Sequence, residues 1–186
     1  MLKLLGVEYI SYNSCLNDCI LYKWEYADKE ICLKYGHDRY HKSNKNGKLH
    51  GPPHKILRHM PIIPRIQRLF CCKELVMLQG WHALHRSESK VMRIPTNSIS
   101  MKNIEDTWPY KFKDEVWSLW LSVVMDGVNM YSIQNTNYYF WLVVVINNNT
   151  HPWFSMKHEH IMLALIVSGR RQVKNIYVYL QPLVDC

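Results

Sequence analysis

The residue types best suited to chemistry in this chain are cysteines, spaced Cys15-x3-Cys19-x12-Cys32 and followed by Gly36-His37. Tetrahedral zinc takes four soft or borderline ligands, commonly as two close pairs that each fold a small loop around the ion. Cys15, Cys19 and Cys32 are therefore candidate zinc ligands, with His37 as the candidate fourth and His41 in reserve. The alternative is three ordinary reduced thiols. Cys71 and Cys72 are assigned to helix packing, because adjacent side chains on a helix point in different directions.

A second pattern is basic. Lys42, Lys45, Lys48, Lys55, Arg58, Arg65 and Arg68 recur through a stretch that also holds Tyr40 and several histidines. Such a run can neutralise phosphates while aromatic and imidazole rings supply stacking or hydrogen bonds. It can equally be a solvated linker. The whole chain of 186 residues carries a formal charge of +8, a balance that favours a polyanionic partner such as DNA.

The third candidate is a carboxylate. Asp126-Gly127 lies between apolar runs, a strong hairpin-turn signal by its pattern alone. Only Glu159 and Asp185 are acidic beyond it.

Three consecutive zones would have to position these groups. Residues 1–46 alternate cysteine, tyrosine and charge without sustained periodicity, as in a small loop-rich cysteine module. Residues 47–112 form a basic linker, broken by Gly51-Pro52-Pro53, Pro61 and Pro64, and then a helical connector. Ile66, Leu69, Phe70, Lys73 and Met77 predict one helix from Arg65 to about Gln79, with Pro64 in its first turn. Residues 113–186 hold three apolar runs, Val116–Met125, Tyr138–Ile146 and His160–Val167, which read as successive buried strands. Arg170–Asp185 continues as a helix or an amphipathic strand, with Pro182 limiting its regularity. The expected class is α/β.

Composition excludes other classes. A hydrophobic share of 48% and a charged share of 20% belong to a globular chain. The opening Met1-Leu2-Lys3-Leu4-Leu5-Gly6 lacks the apolar core and cleavage site of a secretory signal, and no apolar run is long enough to span a bilayer. The reading is a soluble intracellular protein without a membrane partner, its six cysteines reduced or metal-bound.

Several blocks in order carry a family likeness: Asn17-Asp18-Cys19-Ile20-Leu21-Tyr22, Pro53-His54-Lys55-Ile56-Leu57-Arg58, Ile63-Pro64-Arg65-Ile66-Gln67-Arg68-Leu69-Phe70, Trp81-His82, Met125-Asp126-Gly127-Val128-Asn129 and Tyr177-Val178-Tyr179-Leu180-Gln181-Pro182-Leu183. From about Cys15 onward the chain resembles the transposase of plant CACTA (En/Spm-type) DNA transposons, as a fragment truncated at its C-terminus. The resemblance implies a partial ribonuclease H-like mixed sheet, with Asp126 as the first catalytic acid and a ligand for magnesium or manganese in DNA strand cleavage and transfer. It also implies a cysteine module whose second pair is Cys-x2-Cys, where this chain has Tyr35 in place of the last cysteine.

Since the later acids of that family have no match, the expected function is a transposase-like protein that is catalytically inactive by itself. The alternatives are a non-catalytic DNA-binding or interaction protein and a translated transposon remnant. DNA, a full-length transposase and a second copy joined through an unpaired strand edge are the implied partners. A functional copy would be nuclear.

Overall fold

The computed structural model describes residues 8–42, 51–85, 92, 94–129, 138–169 and 171–185. Lys45 and Lys48 lie outside the described residues. The sheet is organised around β2 (Lys55–His59), where Lys55, Leu57 and His59 alternate onto a buried face. On one side β2 pairs antiparallel with β1 (Ile10–Ser14), from Ile10 opposite His59 to Ser14 opposite Lys55. On the other side it pairs antiparallel with β5 (Met162–Gly169), from Ile56 opposite Ser168 to His59 opposite Leu165.

Two further strands, β3 (Leu121–Asn129) and β4 (Tyr139–Asn147), complete the order β1-β2-β5-β4-β3. The five-stranded sheet is antiparallel, where a mixed sheet was expected. β4 and β5 are rich in β-branched and apolar residues, and Val143, Val145, Ala164, Leu165 and Val167 are buried as that composition demands. β3 departs from the expectation of a buried strand. It is an edge strand, and Val123 to Val128 are all exposed.

The single helix expected from Arg65 to Gln79 is two: α1 (Ile63–Leu69) and α2 (Lys73–Gln79). Cys72 between them is extended, with φ −116° and ψ 124°, so the 3.6-residue ladder cannot run through it. Short helices α3 (Trp81–Leu84), α5 (Pro109–Phe112) and α6 (Pro152–Ser155) flank the longer α4 (Ile99–Thr107). Ser98 caps α4, its Oγ accepting from Met101 N at 3.3 Å. The final segment is helical, α7 (Tyr177–Val184), and contains Pro182.

The chain forms two compact units, each built of more than one segment. The first comprises Met1–Ile62, Met125–Val143 and Leu163–Cys186, and the second Ile63–Val124 and Val144–Met162. Within the first, β1, β2, β5 and α7 enclose Leu57, Ala164, Leu165, Val167 and Tyr179.

The second unit is organised by the turn after β4. Asn149 is fully buried and spends its whole amide: Oδ1 accepts from Trp120 N at 2.7 Å and Nδ2 donates to Ser118 O at 2.7 Å. Its backbone N donates to Asn147 Oδ1 at 3.0 Å, and Asn147 Nδ2 donates to Gln79 Oε1 at 2.6 Å. Side-chain amides thereby satisfy backbone groups that leave the sheet ladder at this turn.

Candidate functional site

The cysteine module is built by two loops. Leaving β1, the chain turns back through Cys15–Ile20, with Cys15 N donating to Ile20 O and Asp18 N to Cys15 O, both at 3.0 Å. A second loop is closed by Cys32 N donating to His37 O at 2.9 Å and Gly36 N to Cys32 O at 2.7 Å. Gly36 has φ +72°, a conformation that glycine adopts without steric cost. Together the loops place the ligand atoms of Cys15, Cys19 and Cys32 within 4.8 Å of one another.

That bound accommodates the roughly 3.8 Å between sulfurs at the corners of a zinc tetrahedron with Zn–S bonds of about 2.3 Å. Three soft donors, Cys15 and Cys32 buried and Cys19 half-buried, fit three corners of a zinc site. His37 does not join the group among the described residues; its exposed ring stacks on Tyr35, with centroids 5.2 Å apart. Burial pushes the Cys15 thiol up to about 11, so a bound metal would have to displace its proton.

The cysteines also have an aromatic neighbour. Tyr22 packs with Cys15 and Cys32, and its buried hydroxyl has no hydrogen-bond partner among the described residues. Burial, and then the nearby cysteines, push its phenol up to about 12. Arg39 covers the same ring, its guanidinium carbon 4.7 Å from the centroid, while Nη1 donates to Ala27 O at 2.6 Å.

Beneath the module lies a buried carboxylate. Asp18 sits at φ +60°, which an aspartate tolerates better than a β-branched residue. Its Oδ1 accepts from Lys55 Nζ and from the Tyr179 hydroxyl, and its Oδ2 accepts from Lys174 N at 2.8 Å. Ser14 Oγ lies 3.0 Å from the same Tyr179 oxygen. Burial, followed by the Asp18 charge, drives the Tyr179 phenol far above its ordinary range. The arrangement ties the cysteine turn, β2 and α7 together.

This placement corrects the reading of Lys55 as a phosphate contact, because its ammonium is buried and paired with Asp18. Lys42 is exposed. Half-buried Arg58 lines a cavity of about 560 Å³ with His41, His54 and Arg171, and its Nη1 donates to Ser168 Oγ at 3.4 Å. Arg65 and Arg68 belong to the second unit, on α1. Arg171 escaped the sequence reading because it is remote from the basic run and reaches this cavity only through β5.

In the same cavity His54 lies 3.7 Å from His41 between ring centroids. Burial and then the neighbouring imidazole lower its pKa below 6.5. The unfolded state therefore binds this proton more readily, and the His54 contribution to stability is present above pH 6.5 and lost as pH falls through the lowered folded value. Melting temperature should fall between about pH 7.5 and 5.5, and less so in His54→Gln. An equal fall in that variant would assign the effect to other histidines.

Asp126 is exposed within β3, which overturns the hairpin-turn reading of Asp-Gly. Its Oδ1 accepts from Gly127 N at 2.7 Å. A Cβ added at Gly127 would stand 3.0 Å from Trp141 Cε2, so glycine serves close approach of an indole here. Among the described residues the three cysteines are the only gathered set of three or more His, Cys, Asp or Glu ligands. Asp126 alone does not fit a magnesium site of the kind that holds two ions for strand cleavage.

A protein-family model described as Transposase family tnp2 matches residues 89–186, more than half of the chain. The chain belongs to the tnp2 transposase family. This is the family of En/Spm (CACTA) elements, and the match includes the Asp126 block and the Tyr177–Leu183 block of the resemblance. The cysteine module and the basic run of the tnp2-family chain precede the matched segment. Family membership makes DNA the relevant macromolecule, and no helix among the described residues is long and apolar enough to cross a membrane. No curated protein and no solved structure gives a match.

Proposed function

We propose that this tnp2-family chain is a DNA-binding protein descended from enzymes of metal-dependent strand cleavage and transfer, and that it does not cut DNA by itself. The observation that carries the proposal is the family match extending across Asp126, joined to the isolation of that carboxylate among the described residues. Three strands adjacent in space, β3, β4 and β5, followed in sequence by α7, support a ribonuclease H-like core. Asp126 would then be the family's first catalytic acid, with magnesium or manganese as the metal of the family's strand cleavage.

The exposed Val123, Val124, Met125 and Val128 on edge strand β3 support association with a full-length transposase or a second copy. Zinc held by Cys15, Cys19 and Cys32 is part of the same proposal, as is nuclear localisation. Lys42 and Arg58 are the DNA contacts proposed in the first unit, and Arg65 and Arg68 those in the second.

Binding of duplex DNA measured by fluorescence anisotropy should weaken steeply with salt, since each neutralised phosphate contributes about −0.9 to the log–log slope. Combined Lys42→Ala and Arg58→Ala should lower the slope by about 2 with little sequence dependence. With magnesium or manganese the same DNA should stay uncut. Salt-insensitive binding, or reproducible cleavage abolished by Asp126→Ala, contradicts the proposal.

A further inference from the structure

The second unit holds a cavity of about 230 Å³ whose wall includes Arg65, Arg68, Thr150 and Glu159, with Leu69 and Phe154 among its apolar parts. Arg65 and Arg68 are three residues apart on α1, so both guanidiniums issue from one side of the helix. Thr150 ends the asparagine turn described above. Its hydroxyl is different from its neighbours in that turn: Asn147 and Asn149 spend their amides within the protein, whereas Thr150 Oγ1 is buried and has no hydrogen-bond partner among the described residues. The residue is only 3% exposed yet lines the cavity.

We propose that this cavity binds a phosphate group, with Arg65 and Arg68 neutralising its charge and Thr150 Oγ1 donating to one of its oxygens. Two guanidiniums against one carboxylate, that of Glu159, leave a positive balance in the wall. Planar guanidinium forks match the oxygens of phosphate, and charge-assisted hydrogen bonds are the stronger kind. The buried hydroxyl supplies the third, fixed donor, and binding relieves its unsatisfied state. Burial and then the charge of Arg68 lower the pKa of Arg65. Leu69 and Phe154 give room for the carbon skeleton that carries the phosphate.

The shared chemistry fits a phosphate of the DNA backbone or a free phosphate or nucleotide. The inference deepens the DNA-binding reading for Arg65 and Arg68, and inorganic phosphate tests it without DNA. In ¹⁵N-resolved NMR of the full chain at constant ionic strength, phosphate should produce saturable shifts at α1 and at the Asn147–Thr150 turn. Combined Arg68→Ala and Thr150→Val should weaken that response by about tenfold or more while the remaining spectrum stays dispersed. Thr150→Ser, which keeps the hydroxyl, should restore most of the loss when paired with native Arg68.

An oligonucleotide without terminal phosphates that is displaced from this cavity by inorganic phosphate identifies the backbone as the source; response to free phosphate or nucleotide but not to the oligonucleotide identifies a small ligand. Absence of saturable shifts with phosphate, equal response to acetate, or an unchanged response in the double variant overturns the proposal. Salt-sensitive DNA binding that persists in such a case leaves the Lys42 and Arg58 reading standing.

Discussion

Replacing Asp18 by alanine is expected to cost about 3–5 kcal/mol, the range for removing one partner of a buried ion pair. Lys55 is 5% exposed and Tyr179 is fully buried, so both lose their partner within the interior when the carboxylate is gone. The loss is asymmetric: an ammonium and a phenol remain in the interior, and Lys174 N also loses its acceptor. Against a total stability of about 5–15 kcal/mol for a typical domain, this single change should unfold a large fraction of the protein.

The size of the effect can be separated from simple loss of contact. Asp18→Asn keeps the shape but not the charge, and should fall nearly as far. Tyr179→Phe removes one donor and leaves the ion pair, so about 1–2 kcal/mol is expected. Asp18→Ala combined with Lys55→Met should recover part of the loss, because the stranded charge is then absent. Urea denaturation followed by tryptophan fluorescence measures all four. A cost under about 1 kcal/mol for Asp18→Ala would show that the carboxylate is not the tie between the cysteine turn, β2 and α7.

The same ion pair explains why part of the fold was illegible in the sequence. β2 has the strict alternation of a buried strand, but two of its three buried positions are Lys55 and His59, so the pattern reads as a basic linker. Its partner Asp18 is 37 residues away, beyond any local periodicity. β4 and β5 were legible because Val, Ile, Leu and aromatic side chains do the burying there. α1 and α2 kept helical spacing on either side of Cys72, and nothing in their apolar pattern marked the extended residue between them.

At Asp126-Gly127 two local rules competed. The dipeptide favours a turn, while Val123, Val124 and Val128 around it favour extension. Extension holds in β3, where Gly127 accommodates the Trp141 ring. At the candidate metal centre, the spacing Cys15-x3-Cys19-x12-Cys32 points to the three cysteines whose sulfurs the loops gather, since loops of that length can fold back on a common point. His37 is near the cysteines in sequence, but its backbone carbonyl rather than its ring serves the Cys32 loop. Tyr22 lies between Cys19 and Cys32 in an apolar run, where an orphaned hydroxyl has no sequence signature.

The cysteine assignment carries the second large expected effect. Protein purified after expression in zinc-replete medium should hold about one zinc per chain, and Cys32→Ser should reduce this to near zero, because a site with three protein thiolates cannot spare one. Ligand gathering couples binding to folding: closed four-ligand sites contribute about 10–16 kcal/mol of apparent binding free energy, and a three-thiolate site should contribute a substantial part of that. Chelation should therefore lower the melting temperature and open amides of both cysteine loops to hydrogen exchange, with β4 and β5 remaining protected. His37→Ala should retain the metal, since the imidazole stands on Tyr35 rather than with the sulfurs. Cobalt substituted for zinc provides an independent reading, because thiolate-to-metal charge-transfer bands report cysteine ligation directly and should vanish in Cys32→Ser. Stoichiometric zinc that survives Cys32→Ser, or a zinc-free protein whose loops are unchanged by added metal, would remove these three cysteines from the list of ligands and leave them as buried thiols packed against Tyr22.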